Sequence, residues 1–221
     1  MMDIAALIQT LSVAALPVIF AITLHEAAHG YVARYCGDTT AWVAGRISLN
    51  PLRHIDPFGT LLVPALILMT SYTFTGSGML FGWAKPVPVN FRRLKNPRRD
   101  TMLVSAAGPA MNFLMAIGWT VMLKIAVAIP GDYALPLGKM SVIGIEINLI
   151  LMVLNLLPLP PLDGGRIAVC LLPYRLAVPF SRIEPYGFWI LLFLLFTNIL
   201  DWIMWPVIAL FKQLLLILLQ I

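Results

Sequence analysis

Residues 4–24, IAALIQTLSVAALPVIFAITL, run directly into His25-Glu26-Ala27-Ala28-His29-Gly30. The first part has about the twenty apolar residues that a membrane-spanning helix needs. Only Gln9, Thr10, Ser12 and Thr23 interrupt it with polar side chains, and Pro17 is tolerated because membrane helices accept proline. Read as one continuous helix, His25 and His29 are four residues apart and share a face. Both imidazoles can then reach one metal ion, and Glu26 follows the first of them directly. This is the H-E-x-x-H pattern: two zinc ligands and a general base beside a bound water. Two of the chain's three histidines are spent here. Ionisable residues are costly in an apolar segment and mark a functional site there. The helix is expected to run to about Tyr35, where Gly37-Asp38 stops it.

Composition agrees with a membrane setting. Of 221 residues, 60% are hydrophobic and 11% charged, against about 25% charged in a soluble domain. Mean hydropathy is +0.90. The expectation is one membrane-embedded domain over residues 1–221, with its core at 4–170. The net charge of +5 comes from clustered basic residues, which speak to membrane topology and exclude a nucleic-acid partner. Cys36 and Cys170 lack metal-ligand spacing and read as unpaired thiols. The first apolar run lacks a basic leader and carries the metal motif, so it is expected to be retained, not cleaved.

Moving outward, residues 39–50 read as a strand, followed by a turn-rich loop holding His54. Residues 61–80 are too short for two spans and suggest a re-entrant hairpin covered by protein or a water-filled cavity. Residues 81–90, FGWAKPVPVN, read as an edge strand because their prolines alternate, and the whole insertion covers 39–90. Arg92, Arg93, Lys95, Arg98 and Arg99 then form a basic loop, placed in the cytoplasm facing lipid headgroups. Residues 101–129 and 140–157 are the second and third spans. Residues 188–200 and 203–219 are two short C-terminal apolar helices within 186–220, separated by Asp201. The fold class is therefore an all-α polytopic membrane protein: a three-helix catalytic core, two C-terminal helices, and a short strand and re-entrant insertion. With the basic loop inside, His25, His29 and Asp163 all fall near the inner ends of spans.

A catalytic zinc usually takes three protein ligands and keeps one position open. Candidates for the third are His54, Asp163, Asp56, Glu146 and Asp201. Asp163 is favoured on local chemistry, because it follows a proline-broken helix end and precedes Gly164-Gly165, where the backbone can leave the helix.

Three stretches together resemble the site-2 protease family of intramembrane zinc metalloproteases: His25-Glu26-Ala27-Ala28-His29-Gly30; Ala107-Gly108-Pro109 with Asn112; and Asn155-Leu156-Leu157-Pro158 through Leu162-Asp163-Gly164-Gly165-Arg166. The loop from Asn50-Pro51 to Gly59-Thr60 and the run 81–90 resemble a compact bacterial subgroup. No PDZ-sized insertion separates the second and third spans. The resemblance implies one zinc per chain held by His25, His29 and Asp163, with Glu26 as base, and cleavage of peptide bonds in or near transmembrane segments. Expected partners are a transmembrane protein substrate and the bilayer, in a bacterial inner membrane with the site towards the cytoplasm. His54, Asn112, Asn148 and Asn155 are candidates for an oxyanion or auxiliary role. The segment 83–90 is a candidate for pairing with an unwound substrate by strand addition. A metal-binding transporter and a non-proteolytic scaffold are the competing readings; neither explains a glutamate directly after the first histidine.

Overall fold

The computed structural model describes residues 4–54, 56–63, 66 and 85–220. Every regular element among them is helical, and none is a strand. The chain opens with α1 (Ile4–Tyr35) and a four-residue α2 (Thr40–Val43). Then come α3 (Pro97–Ala128), α4 (Ala134–Leu156), α5 (Asp163–Leu171), α6 (Tyr174–Ser181), α7 (Gly187–Phe196) and α8 (Ile199–Leu218). Among the described residues, five stretches are long and apolar enough to cross a membrane: Ser12–Tyr35, Pro97–Ala128, Ala134–Leu156, Tyr174–Phe196 and Ile199–Leu218. The fourth contains α6 and α7, joined by a 3₁₀ turn at Glu184–Tyr186. This is the pattern of a multi-pass membrane protein.

Helix α1 is unbroken through the histidine motif and stops where the sequence expects. Gly37 takes φ +109, a left-handed value that suits glycine. The Asp38 amide donates to Ala33 O (2.9 Å) and the Gly37 amide to Arg34 O (3.1 Å), the paired bonds of a Schellman end.

Helix α3 is the centre of the molecule, lying against α1, α4 and α5. Two apolar clusters hold it. One joins Ala116 of α3 to Ile145, Leu149, Met152 and Val153 of α4 and to Met204 and Ile208 of α8. The other, at the motif end, packs Ala33 and Cys36 against Leu94 and Val104. A β-carbon on Gly144 would overlap the Trp119 indole, so α3 and α4 meet closely there. Three polar side chains in the spans are satisfied within their own helices. Thr120 Oγ1 donates to Ala116 O, Ser141 Oγ to Leu137 O and Asn155 Nδ2 to Leu151 O. Such back-bonding removes the cost of a bare polar group in hydrocarbon.

Three expectations change. Residues 39–50 are not a strand. Asp38 is fully buried, and its Oδ1 accepts from the Thr40 amide and hydroxyl at 3.0 and 2.5 Å. That local turn starts α2 in place of the expected strand. The Arg34 guanidinium then covers the Trp42 ring at 3.4 Å. Of the edge strand expected at 81–90, residues 81–84 lie outside the described residues, and 85–90 form no ladder: the Lys85, Val87 and Asn90 amides bond to His54 O, Glu26 and Asp38. The break between the last two helices falls at Asn198, which takes φ 58, and Asp201 lies in the first turn of α8. The re-entrant hairpin expected at 61–80 falls mostly outside the described residues.

Candidate metal centre

The α1 periodicity puts His25 and His29 on the face turned towards α3. Their rings meet edge to face, with centroids 4.7 Å apart. Each Nδ1 is engaged away from the other ring. His25 Nδ1 lies 2.6 Å from Asn112 Oδ1, and His29 Nδ1 lies 2.7 Å from Val104 O, both on α3. The Asn112 amide has one workable orientation, because its Nδ2 donates to Ala21 O (3.2 Å) and to Asn148 Oδ1 (3.0 Å). Asn148 in turn donates to Gly144 O at 2.8 Å. Oδ1 is therefore the atom facing His25, and His25 Nδ1 carries the hydrogen. A carbonyl can only accept, so His29 Nδ1 carries one too. Both Nε2 atoms are left with bare lone pairs.

Those lone pairs converge with a carboxylate. His25 Nε2 and His29 Nε2 are 3.0 Å apart, and Asp163 Oδ2 is 3.4 and 3.2 Å from them. Three acceptors at these separations repel unless a cation lies among them. Ligands about 2.0–2.1 Å from a tetrahedral zinc are about 3.3–3.4 Å apart, close to the three distances found here. No other group of three or more such side chains with metal-binding geometry occurs among the described residues. Gly108 provides the clearance: a β-carbon there would overlap His29 Nε2 and the edge of the His25 ring. The residues present fit a tetrahedral metal with an open position, held by two imidazoles whose outer nitrogens are oriented by a second layer of partners.

Asp163 reaches the site from the first turn of α5. Gly164 and Gly165 are needed for close approach, not for unusual dihedrals. Their φ values are not positive, but a β-carbon on either would run into the backbone of residues 156–160. The far end of α5 is held by Arg98, whose Nε donates to Cys170 O and whose Nη2 lies 3.4 and 3.3 Å from Leu171 O and Leu172 O. An acid at the start and a cation at the end both suit the helix dipole.

The competing third ligands lie elsewhere. Asp56 accepts from the Phe58 and Gly59 amides at 2.9 and 3.1 Å. Glu146 pairs with Lys212 at 2.6 Å, and Asp201 is exposed. His54 is buried with Nε2 on Ser48 O at 2.8 Å and Nδ1 without a partner among the described residues. Asn112 and Asn148 are fully buried in the relay behind His25, so their donors are spent, and Asn155 bonds to its own helix.

Glu26 is the neighbour of the metal-facing pair. Its Oε2 accepts the Val87 amide at 2.7 Å, and nothing else among the described residues bonds to the carboxylate. Val87 N–H, Val104 O and Arg98 are contributors that sequence reasoning missed. Two of them act through backbone atoms and leave no residue signature. Gly108 and Asn112 had a signal, but small residues suggested helix packing rather than room for imidazoles.

A multi-pass helical chain that brings two histidines and one carboxylate together, with a glutamate beside them, has the donor set of a membrane metalloprotein. The chain is a member of the site-2 protease family of zinc metalloproteases. It is 41% identical over 192 residues to the Bacillus subtilis (strain 168) protein named "Putative zinc metalloprotease YwhC", covering 85% of this chain and 82% of that one. It is 30% identical over 187 residues to "Putative zinc metalloprotease Rip2" of Mycolicibacterium smegmatis, covering 83% of this chain and 66% of the relative. Against Rip2 of Mycobacterium tuberculosis it is 33% identical over 147 residues, covering 65% of this chain and 51% of the relative. No family model and no solved structure matches the chain.

Proposed function

We infer that the protein is an intramembrane zinc endopeptidase that hydrolyses peptide bonds in or near the transmembrane segments of other membrane proteins. The observation that carries this reading is the convergence of three lone-pair donors, His25 Nε2, His29 Nε2 and Asp163 Oδ2, beside a glutamate with one oxygen unengaged among the described residues. Bound zinc supplies Lewis acidity, which makes a water acidic and polarises a carbonyl. Glu26 Oε1 accepts the proton from the attacking water and returns it to the departing amine nitrogen. Asn112 and Val104 O keep both imidazoles turned towards the metal through the cycle. Asp163 adds the negative charge that a two-imidazole site lacks.

Strand addition at 85–90 gains little support. The amides of Lys85, Val87 and Asn90 are already bonded, Pro86 and Pro88 have none, and only Val89 could donate to a substrate strand. The basic loop favours a site near the cytoplasmic side of a bacterial inner membrane. The test is E26Q in the purified chain. It keeps zinc at the wild-type ratio while cleavage of a transmembrane substrate falls by about a thousandfold or more. Full cleavage in E26Q removes Glu26 from the chemistry, whereas wild type that holds zinc but cuts no substrate revives the transporter reading.

A further inference from the structure

The Lys85–Asn90 segment lies along the face of α1 that carries Glu26 and Gly30, one turn apart. A β-carbon on Gly30 would meet Ile47 Cγ1 at 2.8 Å and Val87 Cγ1 at 3.2 Å, so glycine allows the segment to seat there. It is fastened at both ends: the Lys85 amide donates to His54 O at 3.0 Å, and the Asn90 amide to Asp38 Oδ2 at 2.6 Å. Between these anchors, Arg46 Nη2 donates to Lys85 O at 3.0 Å and lies 3.4 Å from Pro86 O.

Pro86 C=O and Val87 N–H belong to one peptide plane. The Arg46 cation faces its oxygen, and the Glu26 carboxylate accepts its hydrogen at 2.7 Å. A peptide dipole bridging a cation and an anion is polarised from both sides, and each bond strengthens the other. The plane is also stiff. Pro86 and Pro88 have fixed φ, and Lys85 and Val87 each precede a proline, which restricts them too.

We propose that Arg46 is a positioning residue for the reaction: through the Pro86–Val87 peptide it fixes Glu26 Oε2, leaving Oε1 aimed for proton transfer. This rests on Glu26 being the base. The linkage predicts a loss in turnover rather than in zinc binding, because among the described residues Arg46 bonds to Lys85 O and Pro86 O and to none of His25, His29 and Asp163.

The test uses the full zinc-loaded chain in lipid nanodiscs, labelled with ¹⁵N-valine. Hydrogen exchange of the Val87 amide is followed in wild type, E26A, R46A and R46Q. Zinc content and cleavage are followed in wild type, R46A, R46Q and R46K. The cleavage probe is a synthetic single-span peptide broken by Gly-Pro and carrying a fluorophore and quencher. Val87 exchange is expected to be slow in wild type and about tenfold faster or more in E26A, R46A and R46Q. In the two Arg46 removals kcat falls by about tenfold or more while KM and zinc stay near wild type, and R46K recovers part of the rate. Wild-type exchange at Val87 in both removals overturns the linkage. Faster exchange with unchanged kcat overturns its catalytic meaning. A rise in kcat identifies the segment as a lid and also overturns the proposal. If wild type neither binds zinc nor cuts the peptide, the protease reading fails, whereas the exchange data still decide the Arg46–Val87–Glu26 linkage.

Discussion

At the residue scale, the metal centre depends as much on an absent side chain as on those present. Gly108 faces the space into which both Nε2 atoms point. Alanine there must displace one imidazole or the other, and a misaligned ligand costs affinity steeply. G108A is expected to lose zinc while keeping its helix content, read by metal analysis beside circular dichroism. Asp38 makes a different kind of prediction. Burial would raise its carboxyl, but the Thr40 hydroxyl, the Asn90 and Thr40 amides and the nearby Arg93 outweigh that and hold it low. A depressed carboxyl contributes stability that is complete above the unfolded value, about 3.9, and is lost as pH falls through the folded one. Acidification through that depressed value is therefore expected to release the Asn90 amide, seen as a loss of its hydrogen-exchange protection relative to the intrinsic rate at the same pH. D38N should remove that pH dependence.

At the element scale, the short helix α5 decides whether the third ligand arrives. It holds Asp163 at one end and depends on the Arg98 guanidinium at the other. R98A is expected to weaken zinc binding by about tenfold, comparable to loss of an outer-layer partner of a metal ligand, measured by chelator competition. This role was not legible in the sequence. Within a run of five basic residues, all five read as facing headgroups, and only the packing of α3 on α5 singles one out. The helix α1 was fully legible, from its apolar run through the four-residue histidine spacing to the Gly37 stop, because each signal is local. The strand expected at 39–50 failed for an equally local reason, the Asp38–Thr40 turn. Asp163 was the favoured third ligand on local chemistry, but four other acids and histidines stayed open until the helices were assembled in space.

At the scale of the whole molecule, the C-terminal helix is tied to the core by charges inside apolar spans. Lys212 pairs with Glu146 at 2.6 Å, and Lys124 Nζ donates to Leu219 O at 2.7 Å. Removing one member of a pair in an apolar setting leaves the other uncompensated, and removing both does not. E146A alone is expected to lower the thermal midpoint in nanodiscs more than E146A with K212A. Additive losses of the two single variants in the double variant would mean that the pair contributes no coupling. Large apolar side chains such as Leu114, Phe193, Trp202 and Leu214 remain exposed on the spans, as lipid contact requires. The same packing that buries the Asn112–Asn148 relay between α3 and α4 leaves the metal centre where α1, α3 and α5 meet.

The central claim is that His25, His29 and Asp163 hold one metal ion. Zinc content of purified wild type and D163A, measured side by side after reconstitution and dialysis, tests it most directly. The account predicts one zinc per chain in wild type and little in D163A, with helix content unchanged. Full zinc in D163A would remove Asp163 from the ligand set, and no zinc in either protein would contradict the metal centre itself.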